Sequence, residues 1–221
     1  MRTNACIFDL DGVIVDTAKY HFLAWKKLAD QIGIIFTEND NERLKGVSRM
    51  DSLEIILEIG DRKLNNKLKH DYATLKNNWY VNYISRMTPD DILPGCLEFI
   101  NELRNAGILV AIGSASKNTP MILERVGIKE LFNAVADGNI VSNAKPDPEV
   151  FIKAAKMVGI EPGNCVVFED AVAGVQAALN AGMMCIGIGS SRILSEAHYV
   201  VSGLNEMNLE KLKTIEKNIR L

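Results

Sequence analysis

Acidic residues follow one of the apolar runs of the sequence at short spacing. Asp9-Leu10-Asp11-Gly12 comes directly after the apolar run Ala5–Phe8. Carboxylate oxygens are ligands that hard cations such as Mg²⁺ prefer, and a carboxylate can also attack phosphorus as a nucleophile. A solvated turn capped by aspartate fits this motif equally well when it is taken alone. An EF-hand is excluded, because its loop needs Gly at the sixth position and Glu at the twelfth.

Three further polar groups follow apolar runs. Gly113-Ser114-Ala115-Ser116-Lys117-Asn118 offers hydroxyls and backbone N–H groups that can surround an anion, although a helix cap is the commoner use of such residues. Lys145 can neutralise a phosphate, whereas an isolated lysine is usually solvated. Glu169-Asp170 can complete a cation site, or Asp170 can cap the next helix.

The order of the four groups is more informative than any one of them. Paired acids, hydroxyls, a lysine and again paired acids occur in turn along the chain. Phosphoryl transfer to a carboxylate needs a nucleophile, anion donors, a cation and metal ligands. The pattern therefore predicts a Mg²⁺-dependent phosphotransferase in which Asp9 carries the phosphoryl group.

These groups can meet only if the strands before them end at one edge of a sheet. Short apolar runs predict buried parallel strands at Ala5–Phe8, Ile108–Gly113, Ala134–Ala136, Cys165–Phe168 and Met184–Ile188. Helical patterns alternate with them at Pro94–Ala106, Thr119–Val126, Pro148–Val158 and Ala171–Asn180. This alternation is typical of an α/β fold with a doubly wound parallel sheet, in which ligands bind beyond the carboxyl ends of the strands.

One long segment after the first strand breaks the alternation. Only helical patterns fill it, at Ala18–Gln31, Met50–Ile59 and Leu64–Ile84. We therefore expect an α/β core domain of residues 1–15 and 93–221, and an inserted helical cap domain of residues 16–92. The two connections, near Val13–Thr17 and Met87–Pro94, are suited to act as a hinge.

The bulk composition excludes several other functions. The 221 residues carry a net charge of −3, too small to suggest binding to nucleic acid or to a membrane surface. No apolar stretch is long enough to span a bilayer, and the charge of Asp9 interrupts the apolar run that a signal peptide would need. We therefore expect a cytoplasmic location. We also expect a monomer that binds a small molecule. The four cysteines have no zinc or CxxC spacing. Cys6, Cys165 and Cys185 are predicted to be buried thiols.

On these motifs the chain resembles the haloacid dehalogenase-like superfamily. The matching motifs are DLDG at Asp9–Gly12, Ser114, Lys145 and Glu169-Asp170, and the helical insertion corresponds to the α-helical cap of that family. Longer segments are similar to its sugar phosphomutase branch, namely Asp9–Lys26, Leu44–Leu53, Gly113–Asn118, Ala144–Phe151 and Phe168–Gln176. The resemblance implies interconversion of β-glucose 1-phosphate and glucose 6-phosphate through an aspartyl phosphate and a 1,6-bisphosphate.

The resemblance also implies roles for individual residues. Asp9 would attack phosphorus, and Asp11 would act as the general acid and base. Mg²⁺ would be bound by the Asp9 carboxylate, the Asp11 carbonyl and Asp170, with Glu169 nearby. The transferring phosphoryl group would be held by Ser114, the Ala115 N–H and Lys145.

The cap would bind the rest of the substrate. Arg49 would bind the distal phosphate from the cap, and Ser116, Lys117 and Asn118 would contact it from the core. The sugar-pocket and hinge residues implied by the resemblance are Thr17, His21, Trp25, Lys45, Gly46, Ser52 and Lys76. A solvated surface is the alternative for the cap cations, and a position in the cap core is the better interpretation of Trp25. His70 and His198 are expected at the surface.

Several alternative functions use the same motifs less completely. A phosphatase of this fold would let water attack the phosphorylated Asp9, but it would not need residues that bind a second phosphate group. A phosphonate-cleaving relative would need a cap lysine that forms a Schiff base, and a dehalogenase would lack the acid at Asp11. A non-catalytic sugar-phosphate-binding module would be expected to lose Asp9, Asp11 or Lys145. The lone Gly187-Ile188-Gly189 is weak support for a dinucleotide-binding site.

Overall fold

Short apolar runs form a parallel sheet. In this computed structural model, which describes residues 3–219, the sheet has six strands in the order β3-β2-β1-β4-β5-β6. The strands are β1 Ala5–Phe8, β2 Leu109–Gly113, β3 Ala134–Ala136, β4 Cys165–Glu169, β5 Met184–Ile188 and β6 Tyr199–Val201. The first five confirm the predicted strands to within one residue at either end. The sequence analysis missed β6, which has three residues and lies at the edge of the sheet.

Helices connect the strands, and most begin and end close to the predicted residues. They are α1 Ala18–Gln31, α2 Glu38–Asn41, α3 Arg49–Ile59, α4 Asn66–Ile84, α5 Cys96–Asn105, α6 Thr119–Arg125, α7 Glu149–Val158, α8 Val172–Asn180 and α9 Leu209–Ile219. The sequence analysis did not include α2 or α9. Helix α2 has only four residues, too few to show a helical period, and α9 follows the last predicted strand, so the strand–helix alternation gave no signal for it.

Helices cover both faces of the sheet. Successive side chains of a strand point to opposite faces, so β1 contributes Cys6 and Phe8 to one apolar cluster and Ala5 and Ile7 to another. The first cluster also contains side chains of α5, α6 and α9, and the second contains side chains of α7 and α8. This arrangement confirms the predicted doubly wound α/β sheet.

An aromatic stack supports the carboxyl ends of the two central strands. The rings of Phe8 and Phe168 stack with centroids 4.7 Å apart, and Phe99 of α5 packs edge-on against Phe168 at 5.4 Å. The Asp9 N–H then donates to the Phe168 carbonyl at 2.9 Å. The residues that follow these two phenylalanines are Asp9 and Glu169, so the stack fixes the relative position of two predicted site residues.

The helices between β1 and β2 have an apolar cluster of their own. It contains Trp25, Leu28, Ala29, Ile34, Phe36, Leu44, Leu53, Ile56, Leu57 and Ala73. The two connections to the sheet run side by side, because Val15 forms a bridge with Ile92 and the Asp16 N–H donates to the Asp91 carbonyl at 2.9 Å. A separate cluster reached by paired connections supports a cap of residues 16–92, and that division stays a prediction.

The cysteines and helices bear on two further expectations. All four cysteines are buried and free, which confirms the prediction for Cys6, Cys165 and Cys185. Among residues 3–219, none of the helices combines the length and the apolar character that crossing a membrane requires.

Helix α8 packs unusually close to the end of β4. A Cβ atom added to Gly174 of this helix would lie 2.0 Å from Cδ of Glu169. No side chain can be accommodated there unless Glu169 or the helix moves. The absence of a side chain at Gly174 therefore lets α8 press Glu169 into its buried position.

Replacing Gly174 by alanine should destabilise the protein by about 1–3 kcal/mol, because the added methyl group must displace Glu169 or α8. This loss exceeds the gain of at most about 1 kcal/mol that alanine brings to a helix interior. Urea unfolding measures the difference. Gly163→Ala is the control, since nothing lies within 4 Å of its Cβ position, and it should change stability by less than about 0.5 kcal/mol. A Gly174→Ala protein as stable as the wild type would contradict this account.

Candidate active site

The ends of β1 and β4 meet around one lysine of the loop that follows β3. Nζ of Lys145 lies 2.6 Å from Oδ1 of Asp9 and 2.8 Å from Oε2 of Glu169, and its side chain is 0% exposed. Burial alone would lower the pKa of Lys145, but the charges of Asp9 and Glu169 outweigh it and raise that pKa. A solvated surface position is therefore wrong for Lys145.

Three carboxylates form a compact acidic cluster beside this lysine. One oxygen from each of Asp9, Glu169 and Asp170 lies within 4.8 Å of the others. Burial raises the pKa of Glu169 to about 7 and the pKa of Asp170 well above its usual range. Such a set of oxygen donors fits a hard divalent cation, which would offset their mutual repulsion.

The backbone of this cluster is adapted to close packing. Gly12 has a φ of 81°, and a Cβ atom there would lie 2.3 Å from Oδ2 of Asp170. A glycine is therefore needed for the β1 loop to approach Asp170. Asp170 does not cap α8, whose N-cap residue is Ala171, and Asn118 makes no side-chain cap bond to α6. The helix-cap alternative is therefore wrong for Asp170, whereas Asn118 does occupy the N-cap position of α6.

The carboxyl group of Asp11 lies outside the acidic cluster and faces the cap. Thr17 donates a hydrogen bond to its Oδ1, Tyr80 donates at 3.4 Å, and Nε2 of His21 lies 3.8 Å away. Burial and then the charge of Asp9 raise the pKa of Asp11 to about 6, against the opposing effect of the bonds from Thr17 and Tyr80. The group can therefore both give and accept a proton near neutral pH.

A buried lysine of the cap packs against His21. Nζ of Lys76 is 2.9 Å from Nδ1 of His21, and it lies over the rings of Trp25 at 4.6 Å and Tyr80 at 4.8 Å. Burial lowers the pKa of Lys76 and of His21 well below their usual values. Lys76 is only 2% exposed, so the solvated alternative is wrong for it. Trp25 belongs to the cap core and also contacts this lysine.

The core and the cap enclose a cavity of about 450 Å³. The predicted site residues that line it are Asp9, Asp11, His21, Trp25, Lys45, Gly46, Arg49, Ser52, Lys76, Ala115, Ser116, Lys117, Asn118, Lys145 and Asp170. Three others lie just behind the wall and contact residues that form it. Thr17 bonds to Asp11, Glu169 bonds to Lys145, and Oγ of Ser114 accepts the Ser116 N–H at 3.1 Å.

The cap loop before α3 closes one side of the cavity. Nζ of Lys45 lies 3.7 Å from Oδ2 of Asp170. Gly46 has a φ of 72°, and a Cβ atom there would lie 3.0 Å from Cβ of Ala171, so this loop touches the start of α8. Arg49 begins α3, and burial lowers its pKa. Within residues 3–219 no carboxylate forms an ion pair with it, so its charge is available to an anion in the cavity.

Sequence analysis missed part of the cap wall. The cavity is also lined by Asn41, His70, Ala73, Thr74 and Asn77. Most of these lie on α4 at helical spacing, which marks one face of that helix but not which way the face turns. His70 is exposed, as expected, and also reaches the rim of the cavity. Asn77 accepts a hydrogen bond at 3.1 Å from Asn118, which lies in the loop after β2 and also lines the cavity.

Comparisons with known proteins agree with this geometry. The chain is 44% identical over 211 residues to the beta-phosphoglucomutase of Bacillus subtilis, covering 95% of this chain and 93% of the relative. It is 29% identical over 221 residues to the phosphorylated carbohydrates phosphatase of Thermotoga maritima, covering 96% and 99% of the two chains.

A solved structure and a family model also match most of the chain. The crystal structure of beta-phosphoglucomutase from Clostridium difficile matches with a TM-score of 0.94 and 40% identity, over 99% of this chain and 100% of that one. The model of the family described as haloacid dehalogenase-like hydrolase matches residues 3–182. The chain belongs to the haloacid dehalogenase-like hydrolase family.

Proposed function

We propose that this protein is a β-phosphoglucomutase that interconverts β-glucose 1-phosphate and glucose 6-phosphate. The observation that carries the proposal is a single cavity with two anion-binding regions. Asp9 and Lys145 lie at the core side, and Arg49 and Lys117 line the same cavity without a carboxylate partner among residues 3–219. A mutase must hold two phosphates at once. The similarity to the Bacillus subtilis and Clostridium difficile enzymes supports the same activity.

The contacts of Asp9 suit it to act as the nucleophile. Lys145 binds its Oδ1 at 2.6 Å, which leaves Oδ2 to attack phosphorus. A bond forms from Oδ2 to phosphorus while the bond from phosphorus to the sugar oxygen breaks, and Asp11 gives that oxygen a proton. In the second half, a sugar hydroxyl attacks the aspartyl phosphate, Asp11 takes its proton, and Oδ2 of Asp9 leaves. The first half starts from a 1,6-bisphosphate and releases glucose 6-phosphate. In the second half the attacking hydroxyl belongs to β-glucose 1-phosphate, so that the 1,6-bisphosphate is regenerated.

The acidic cluster is suited to hold Mg²⁺. The carboxylates of Asp9 and Asp170 and the carbonyl of Asp11 would bind the ion, with Glu169 beside it. When bound, Mg²⁺ neutralises negative charge on the phosphoryl oxygens. Ser114, the Ala115 N–H and Lys145 would hold the same phosphoryl group, and the Lys145 ammonium also binds Oδ1 of Asp9.

The cap would decide between transfer and hydrolysis. Its contacts with the core, from Lys45 to Asp170 and from Tyr80 to Asp11, close the cavity over the nucleophile. A closed cavity excludes water that would otherwise attack the aspartyl phosphate. In this account Thr17 and His21 orient Asp11, and the sugar lies near the other cap residues, Trp25, Gly46, Ser52 and Lys76. The cytoplasmic location and the monomeric state stay predictions.

Supplying β-glucose 1-phosphate with Mg²⁺ and a trace of 1,6-bisphosphate should yield glucose 6-phosphate in large excess over free phosphate. A coupled assay for glucose 6-phosphate and a colorimetric assay for phosphate measure the two products. Mostly free phosphate would instead indicate a sugar phosphatase, the activity named for the Thermotoga maritima relative. Asp9→Asn should abolish turnover, whereas Asp61→Asn, at an exposed cap position, should not. Activity retained by Asp9→Asn would remove Asp9 from its role.

Arg49→Ala should reduce kcat/KM for β-glucose 1-phosphate by about 10–100-fold, because charge-assisted hydrogen bonds contribute about 1.5–3 kcal/mol. Cleavage of a small aryl phosphate, which lacks a second anionic group, should change by less than about threefold. Arg62→Ala, at an exposed position of the cap, is the matched control. Equal losses on both substrates would contradict a role for Arg49 in binding the distal phosphate.

A further inference from the structure

A side-chain hydrogen bond joins the cap to the loop that follows β2. Nδ2 of Asn118 donates to Oδ1 of Asn77 at 3.1 Å. Asn118 belongs to the loop expected to bind the distal phosphate, and Asn77 lies on α4 of the cap. Both side chains are half-buried and line the cavity. No motif assigned a role to Asn77, so this contact is new information from the structure.

Helix α4 contacts the core at a second point on the same face. Tyr80 donates to Oδ1 of Asp11 at 3.4 Å. Residues 77 and 80 are three positions apart, so they lie about 4.5 Å apart along the helix axis. One rigid helix therefore contacts the proposed acid–base group at one end of this face and the phosphate-binding loop at the other. A change in how α4 meets Asn118 would alter the closed cavity as a whole.

The loop itself keeps its shape without the cap. The Asn118 N–H donates to Oγ of Ser116 at 3.2 Å, and Oγ1 of Thr119 donates to the Ser116 carbonyl at 2.9 Å. The Asn139 side chain also donates to the Lys117 carbonyl at 3.0 Å. These bonds are all within the core. Losing Asn77 would therefore leave the backbone of the loop folded and would free only the Asn118 side chain.

The chemistry of an amide explains what that freedom would change. An asparagine Nδ2 carries two hydrogens. When one of them is directed to Oδ1 of Asn77, the carboxamide of Asn118 is fixed and its second hydrogen has a defined direction. Without Asn77 the side chain can rotate, and a donor that must be ordered on binding contributes less affinity.

We propose that Asn77 is a positioning residue that orients the Asn118 side chain for the distal phosphate and aligns the closed cap with the phosphate-binding loop. The inference rests on the proposed function, in which Asn118 contacts that phosphate. Asn77 acts through Asn118, so its effect depends on the presence of Asn118. This dependence separates positioning from a general contribution of Asn77 to the stability of α4.

A double-mutant cycle tests the proposal in the full chain. Glucose 6-phosphate is titrated calorimetrically, with Mg²⁺, into the Asp9→Asn protein, which cannot be phosphorylated at that position. Adding Asn77→Ala should raise Kd about fivefold, as expected for one lost hydrogen bond. In the Asn118→Ala background the same change should raise Kd by less than about twofold.

Asn78→Ala provides the matched control, because Asn78 is the next residue on the same helix and is exposed. It should leave Kd unchanged. An equal effect of Asn77→Ala with and without Asn118, or the same loss from Asn78→Ala, would overturn the inference. If the wild type converts the sugar phosphate while the cycle is additive, only this inference fails. If the wild type neither converts nor binds it, the proposed function fails and the inference falls with it.

Discussion

Lys145 is buried between two carboxylates, and the rest of the core is arranged around this contact. Its ammonium group has left water completely, which would cost several kcal/mol without partners. The compensation requires Asp9 and Glu169 to lie within 2.8 Å of one nitrogen, although one follows β1 and the other ends β4. The parallel pairing of β1 with β4 sets that distance. The stacked rings of Phe8 and Phe168 fix the residues before Asp9 and Glu169, and the close approach of Gly174 fixes Glu169 itself. Such a buried charge network fixes the position of the Asp9 carboxylate relative to Lys145 and Glu169.

The cap balances charge in the opposite way. The core contributes the acidic cluster, whose charge a bound cation would neutralise. The cap contributes Arg49 and Lys76 to the cavity, and the loop after β2 contributes Lys117. Burial lowers the pKa of both Arg49 and Lys76, because it disfavours the charged form of each side chain. A phosphorylated sugar would relieve that cost. Binding of the substrate and closure of the cap would therefore stabilise each other.

The sequence could predict a site residue only where the strand order or the family resemblance determines its position. Carboxyl ends of parallel strands meet at one edge, so the positions of Asp9 and Glu169 followed from the strand assignments. Lys145 lies in the long loop after β3, and its place in the site was implied by the family resemblance. The face that α4 turns to the cavity depends on packing between the helices of the cap. Asn77 therefore had no signal in the sequence, although Lys76 was included through the family resemblance. The strand β6 was missed because three residues at a sheet edge carry too little periodicity.

The central claim is that Asp9, paired with Lys145, becomes covalently phosphorylated. The most direct measurement is rapid acid quenching of the protein after mixing with Mg²⁺ and glucose 1,6-bisphosphate. Borohydride reduction, which converts an aspartyl phosphate to an alcohol, then allows peptide mapping by mass spectrometry. The account predicts reduction at Asp9 alone, and none in the Asp9→Asn protein. Reduction at Asp11 or Asp170, or at no aspartate while the protein still turns over, would contradict it.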